Sequence, residues 1–258
     1  MGLPVLILGF SGSGKSSSMR NFKPDELALA NVNGKFLPFR GRFAETLNSD
    51  KFEEIKNFMS SAKAKAIVVD DSQYLMLNEF MRRSTEKSYD KFTEIAEHFW
   101  SLIRYIEQLP QDVIVYFLHH IESGEDGRLK AKTVGKLLDE KVNIEGMFSI
   151  VLRTSVGESG YQFLTQTDGS DCCKSPAGMF ADYAIPNDLR LVDESIRTFY
   201  GLIPEQHCAD CGAVITPTNK RGVTELAAAS TARFGRVLCA SCATAILKKE
   251  SDNNAAEN

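Results

Sequence analysis

Hydrophobic positions along the first two hundred residues switch between two periods, and the switching predicts an α/β chain. Pro4, Val5, Leu6, Ile7 and Leu8 form a short apolar run of strand character, and 27–32 reads as a second strand. Phe52, Ile55 and Met59 then recur at helical spacing. The run at 66–70 is continuously apolar and ends in Asp70, the pattern of a parallel strand buried on both faces. Two helical stretches follow. The clearer one carries Phe92, Ile95, Ala96, Phe99, Leu102, Ile103 and Ile106 on one face and stops at Pro110. Residues 113–118 form another buried strand. Strands separated by helices argue for a mostly parallel sheet with right-handed crossovers and helices on both faces. After that the pattern changes: 148–156 and 161–167 are strand-like around a Gly-rich turn, which predicts a β-hairpin. The expected layout is a core over 1–203, a small module over 204–249 and a short polar, disordered tail over 250–258.

The turn after the first strand carries the main chemical signal. Gly9-Phe10-Ser11-Gly12-Ser13-Gly14-Lys15-Ser16 matches G-x-x-x-x-G-K-[ST], with a strand before it and a short helical stretch after it, ending before Lys23-Pro24. This is a P-loop, and the expected ligand is ATP. Its glycines let backbone N–H groups wrap the phosphates, and a helix N-terminus adds its positive end. Gly9, Ser11, Gly12, Ser13, Gly14, Lys15, Ser16 and Ser17 are the expected nucleotide contacts, with Lys15 on the β and γ phosphates and Ser16 on Mg²⁺. A ligand-free Gly/Ser turn is the plain alternative, and it leaves the strand, the spacing and the Lys-Ser pair unexplained.

Three further groups complete the expected site. A carboxylate at the tip of a neighbouring strand holds Mg²⁺ through water, and Asp70 fits that place. Asp71 is read either as orienting the attacking water or as capping the next helix. At the end of the 113–118 strand stands His119-His120; His120 is chosen as the γ-phosphate sensor and His119 as a structural residue. Arg128, Lys130, Lys132 and Lys136 place four cations in nine residues. Such a stretch reaches a neighbouring subunit's γ-phosphate, contacts a nucleic-acid backbone, or is a solvated loop.

Composition narrows the class without naming it. The apolar share of 43% and charged share of 25% are ordinary for a globular chain. A net charge of −4 does not announce a nucleic-acid binder, although local patches can hide in an average. No apolar run approaches the roughly 20 residues that span a bilayer, and no leader pattern precedes the first strand. The expectation is a cytoplasmic protein with no membrane partner, whose nucleotide domain starts at the N-terminus.

Four of the six cysteines form two C-x-x-C pairs, Cys208 with Cys211 and Cys239 with Cys242, separated by 27 residues. Each pair presents two thiolates on one side of a knuckle, which suits tetrahedral Zn²⁺. A redox dithiol is the competing reading, and two pairs favour the metal. Residues 224–232 and 243–249 look helical. The segment is too short for a core of its own, so zinc is expected to supply its stability. Lys220, Arg221, Arg233, Arg236, Lys248 and Lys249 make it locally basic. His207 is an unneeded extra ligand, and Cys172-Cys173 are expected to stay reduced.

Taken in order, the N-terminal P-loop, the Val68-Val69-Asp70-Asp71 strand end, His119-His120-Ile121-Glu122, Gly135-Lys136, Lys174-Ser175-Pro176 and Ile185-Pro186-Asn187-Asp188-Leu189 form a recognisable series. Over about 3–202 the chain resembles phage-encoded RecA-superfamily ATPases of the single-strand-annealing and homologous-recombination type. The cysteine module resembles treble-clef-like fingers, and 232–239 is similar to fingers attached to phage recombination proteins. The resemblance implies a RecA-like core, ATP hydrolysis, single-stranded DNA as partner, assembly into a ring or filament, and residence in the host cytoplasm. A single-strand binding protein is a further candidate partner. One departure matters: where many RecA-like ATPases carry a catalytic Glu, this chain has Ala30-Asn31-Val32-Asn33-Gly34-Lys35. Turnover is then slow or depends on Asp71. Two other classes stay open, an AAA+ helicase loader or remodeller and a nucleotide-switched, non-catalytic DNA- or protein-binding protein.

Overall fold

Strands buried on both faces need apolar side chains at consecutive positions, and the central strands of this chain have them. The computed structural model describes residues 1–256 other than 136, 159, 219 and 220, with no side chain described at 139, 140 or 250–256. Among the described residues, nine strands form one mixed, mostly parallel sheet: β1 (Leu3–Gly9), β2 (Leu27–Asn31), β3 (Glu45–Leu47), β4 (Ala66–Asp70), β5 (Ile114–Ser123), β6 (Leu129–Ala131), β7 (Ile150–Gly157), β8 (Gly160–Leu164) and β9 (Ala184–Pro186). The order is β3-β2-β4-β5-β1-β7-β8-β9, with β6 paired to β5. Pairing from β3 across to β7 is parallel; β8, β9 and β6 are antiparallel additions. The expected hairpin is therefore β7–β8, its register running from Arg153↔Leu164 to Gly157↔Gly160.

Alternate residues of the central strands face opposite sides. Leu6, Leu8, Ile67, Val69, Val115 and Phe117 pack with the apolar faces of α1 (Phe52–Ser61), α2 (Gln73–Arg82) and α3 (Asp90–Tyr105), whereas Val5, Ile7, Val68 and Tyr116 are equally buried on the other face. In α3 the expected stripe is the one observed, with Ile95, Ala96, Phe99, Leu102 and Ile103 all buried.

Two differences from the sequence reading bear on the site. The short helical stretch after the 9–16 loop is a 3-10 helix, Ser16–Asn21, so less aligned dipole stands behind the loop than the expected helix N-terminus implies. Asp70's strand is not the neighbour of β1. β4 pairs with β2 and β5, and β5 lies between β4 and β1.

The chain divides into two compact units, Met1–Arg190 and Leu191–Asn258. The division falls inside α4 (Leu189–Phe199). Within the second unit, the Glu194 carboxylate of α4 accepts the Thr224 amide at 2.6 Å, next to the start of α5 (Val223–Phe234). The last helix, α6 (Ala240–Ala256), takes in 250–256 of the segment expected to be a disordered tail. Among the described residues no helix is long and apolar enough to cross a membrane.

Candidate functional site

Parallel α/β sheets bind ligands beyond the carboxyl ends of their strands, where loops leave a crevice. Three such ends meet here: the 9–16 loop follows β1, Asp70-Asp71 closes β4, and His120 lies in β5 opposite Gly9. A cavity of about 370 Å³ opens between them, lined by Ser11, Gly12, Gly14, Lys15, Ser16, Ser17, Asp70, Asp71 and His120. Most of the expected site residues therefore share one cavity. The exceptions are Gly9 and Ser13, which shape the loop from behind.

The loop conformation depends on its glycines. Gly12 and Gly14 have φ of 76° and 96°, in the left-handed region that a side chain disfavours. A Cβ at Gly14 would also run into the Tyr161 ring at 2.8 Å. Ser13 turns inward: its hydroxyl donates to the Phe10 carbonyl at 2.7 Å and meets the Thr154 hydroxyl of β7 at 2.5 Å. Lys15 folds back over its own loop, donating to the carbonyls of Gly9 and Phe10 at 2.8 and 2.9 Å. Burial lowers its ammonium to about 8, against the pull of Asp71 and Asp70.

Ser16 and Asp70 are already joined, the serine hydroxyl donating to Oδ1 at 2.9 Å. Burial, then the charge of Asp71, raises the Asp70 carboxyl to about 6, while the Ser16 hydrogen bond and Lys15 oppose the rise. Asp71 has the opposite environment. Its Oδ2 accepts Nδ2 of Asn33 at 2.9 Å and Nζ of Lys35 at 2.7 Å, and its Oδ1 lies 3.2 Å from Nε2 of His120. Burial pushes this carboxyl up, but the hydrogen bonds from His120, Lys35 and Asn33 outweigh it and hold Asp71 well below the usual carboxylate range. A carboxylate held this way orients hydrogen bonds and is a poor proton acceptor. The helix-cap alternative does not describe it. Ser72 precedes α2, and the Asp71 carboxylate turns to Asn33, Lys35 and His120 instead. Asp71 has φ of 59°, a left-handed conformation that Asp tolerates better than most residues.

His119 and His120 have different surroundings. His119 is fully buried, bonded to Ser72 Oγ and the Lys132 carbonyl, while His120 faces the cavity with its ring edge-on to Tyr74.

Of the four-cation stretch, Arg128, Lys130 and Lys132 do not line this cavity. Arg128 is exposed near Asp126, and Lys130 lies in β6 beside a second cavity of about 330 Å³. Lys132 contributes its backbone carbonyl to His119, and Lys136 lies outside the described residues.

Several residues join the site without having been singled out for it. Asn33 and Lys35 stand just past β2, where the expected Glu is missing; their signal was position, since any polar residue at that end of a parallel strand faces the crevice. Thr154 and Tyr161 arrive through β7 and β8 and left no local signal. Asn187 had appeared only within a motif. It is 2% exposed, its amide nitrogen lies 3.3 Å from the position of a Gly14 Cβ, and neither amide atom has a hydrogen-bond partner.

The second unit carries the other cluster. The ligand atoms of Cys208, Cys211, Cys239 and Cys242 lie within 4.8 Å of one another. Tetrahedral thiolates at about 2.3 Å from zinc are roughly 3.8 Å apart, and Cys211 and Cys239 sulfurs stand at 3.7 Å. This cluster can hold a metal ion such as zinc. The first knuckle turns at Gly212, φ 73°, whose amide donates to the Cys208 carbonyl. The second opens α6, and the Cys242 amide points at the Cys239 sulfur at 3.5 Å. Helix α5 fills the gap between knuckles, as the spacing required. Ile215, Val223 and Leu238 form a small core with Cys208, and Arg236 clamps Asp210 through two hydrogen bonds. His207 stays outside the cluster, bonded to the Gly212 carbonyl and close to Glu205. Of the basic residues counted in the sequence, Lys220 lies outside the described residues.

No protein-family model matches this chain, and no curated protein sequence matches it.

Proposed function

We propose that the protein binds and hydrolyses ATP and acts on single-stranded DNA as a multimer, in annealing or strand pairing. The observation that carries the reading is the convergence of Lys15, Ser16, Asp70, Asp71 and His120 on one cavity at the carboxyl ends of β1, β4 and β5. In this reading the backbone of 12–17 and the Lys15 ammonium hold the phosphates. A hydroxyl and a carboxylate already 2.9 Å apart form a hard-oxygen pair suited to Mg²⁺, which would supply charge neutralisation on the β and γ phosphates. Asp71, fixed by Asn33 and Lys35, and His120 beside it orient the attacking water. Zinc at the four cysteines holds the 204–249 module together and leaves that locally basic stretch for DNA or a protein partner.

A second reading has its own support. Asp71 already accepts three hydrogen bonds and no Glu follows β2, which favours a nucleotide-switched binder with slow or no turnover. The remodeller reading has less support: among the described residues no α-helix occurs between β5 and α4, where a helical lid would stand.

The test is ATP hydrolysis with and without single-stranded DNA, with Lys15→Ala as the blank. The reading requires turnover that DNA stimulates and that the variant loses with its zinc content unchanged. Turnover retained in Lys15→Ala removes the assignment of the loop. Binding without turnover in the wild type selects the switch.

A further inference from the structure

Between β2 and β3 the chain makes a loop whose composition differs from the rest of the molecule. Residues 32–44 contain Lys35, Arg40 and Arg42, three phenylalanines and no acid, in a chain of net charge −4. The first acid beyond it, Glu45, is turned back to accept the amides of Lys63 and Ala64. Both ends of the loop are pinned. Asn31 donates to the Lys35 carbonyl at 2.7 Å, and at the far end Phe43 is buried and the Ala44 amide donates to the Pro24 carbonyl at 2.7 Å. The part between is presented to solvent: Phe36 is 103% exposed, and Pro38, Arg40 and Arg42 are exposed beside it. A fully exposed phenylalanine on a pinned loop gains nothing for the fold.

We infer that the 35–42 loop is a contact surface for single-stranded DNA, with a base stacked on Phe36 and the phosphate backbone held by Arg40 and Arg42. The inference rests on the function proposed above and names the element that reads the strand. Stacking on an exposed aromatic flanked by cations is the general chemistry of sequence-tolerant single-strand binding. The absence of acids makes the loop complementary to a polyanion. The loop also reaches the nucleotide cavity. Phe36 and Pro38 line its rim, and Lys35 bonds Asp71 at 2.7 Å while lying over the Tyr74 ring. Strand contact and the water-orienting carboxylate therefore share one short segment, which gives DNA a direct route to turnover.

The experiment is fluorescence anisotropy of labelled oligo(dT), about 16 nucleotides long to cover a site of that order, at several salt concentrations. Wild type, Phe36→Ala and Arg40→Ala/Arg42→Ala are compared on the full chain, with ATP binding measured in parallel and urea midpoints as the folding control. Phe36→Ala is expected to weaken DNA binding about tenfold, within the range of one lost base stack, without changing the salt slope. The double arginine variant is expected to lower the slope of log K against log salt by about 1.4, from two phosphate contacts at about 0.7 each, with ATP affinity unchanged. Wild-type DNA binding that both variants retain in full overturns this inference and leaves the function standing. The same holds if Phe36→Ala alters ATP affinity alone, or if the variants lose self-association alone. A wild type that binds no DNA overturns the function and this inference together.

Discussion

The imidazole of His119 ties stability to pH in a direction the structure fixes. It is fully buried at the site end of β5, with Nδ1 2.9 Å from Ser72 Oγ and Nε2 2.8 Å from the Lys132 carbonyl. A carbonyl only accepts, so Nε2 carries the hydrogen, and Nδ1 of the neutral ring accepts from the Ser72 hydroxyl. Burial, aided by the charges of His120 and Lys15 and opposed by the Lys132 carbonyl, lowers its pKa from 6.5 to about 4. Between those values the unfolded chain binds more protons than the folded one, so the stability is present above pH 6.5 and is lost as pH falls. At about 1.36 kcal/mol per pH unit, the full loss, reached below pH 4, is about 3.4 kcal/mol, and about 2 kcal/mol is gone by pH 5. Against a typical total of about 5–15 kcal/mol this is a large fraction. Asp70, raised to about 6 by burial and by Asp71, works in the opposite direction over part of the same window, so a single pH curve mixes the two. His119→Gln separates them, because the amide keeps a donor for the Lys132 carbonyl and cannot titrate. Urea unfolding followed by fluorescence of Trp100, the single tryptophan, reads the unit that holds both groups. Wild type is expected to lose about 2 kcal/mol more than the variant between pH 8 and pH 5. Parallel losses in the two proteins would show that the buried ring is not what couples the fold to acid.

Cys239→Ser is expected to release the metal and unfold the small core around Ile215, Val223 and Leu238, since a module this size has little else to hold it. Metal analysis with ATP binding as the second readout checks it; equal zinc content in wild type and variant would remove the metal assignment. Asn187→Leu removes two buried, unpaired polar atoms, each of which costs about 1–3 kcal/mol when left without a partner. The nucleotide-free protein is therefore expected to show a higher urea midpoint, and a lower one would mean that the amide is satisfied in solution.

What could be read from the sequence follows from what kind of interaction each residue makes. β1, β4 and β5 are legible because a strand buried on both faces needs an apolar residue at nearly every position, and no other local demand produces that run. The Gly-Lys-Ser turn and the paired cysteines are legible because each chemistry needs its residues within a few positions of one another. β3 and β6 are three-residue strands that pair through backbone groups, and three side chains carry no period. The long β5 was read only to 118, because beyond that point it pairs with β6 rather than burying apolar faces.

The site shows the same division more sharply. Lys15, Ser16 and Asp70 belong to local motifs; Asn33 and Lys35 reach Asp71, and Thr154 and Tyr161 reach the loop, only through the order of the strands. The missing Glu after β2 illustrates why that order matters. Read along the chain, residues 30–35 are a gap in an expected motif. Placed beside β4, the same residues supply two of the donors that, with His120, fix Asp71 and hold its carboxyl low. Replacing an acid by an amide and an ammonium exchanges a base for an anchor. In the proposed ATPase, Asp71 is thus held as an acceptor of hydrogen bonds, and any acceleration would have to come from its orientation and from charge on the phosphates rather than from proton abstraction.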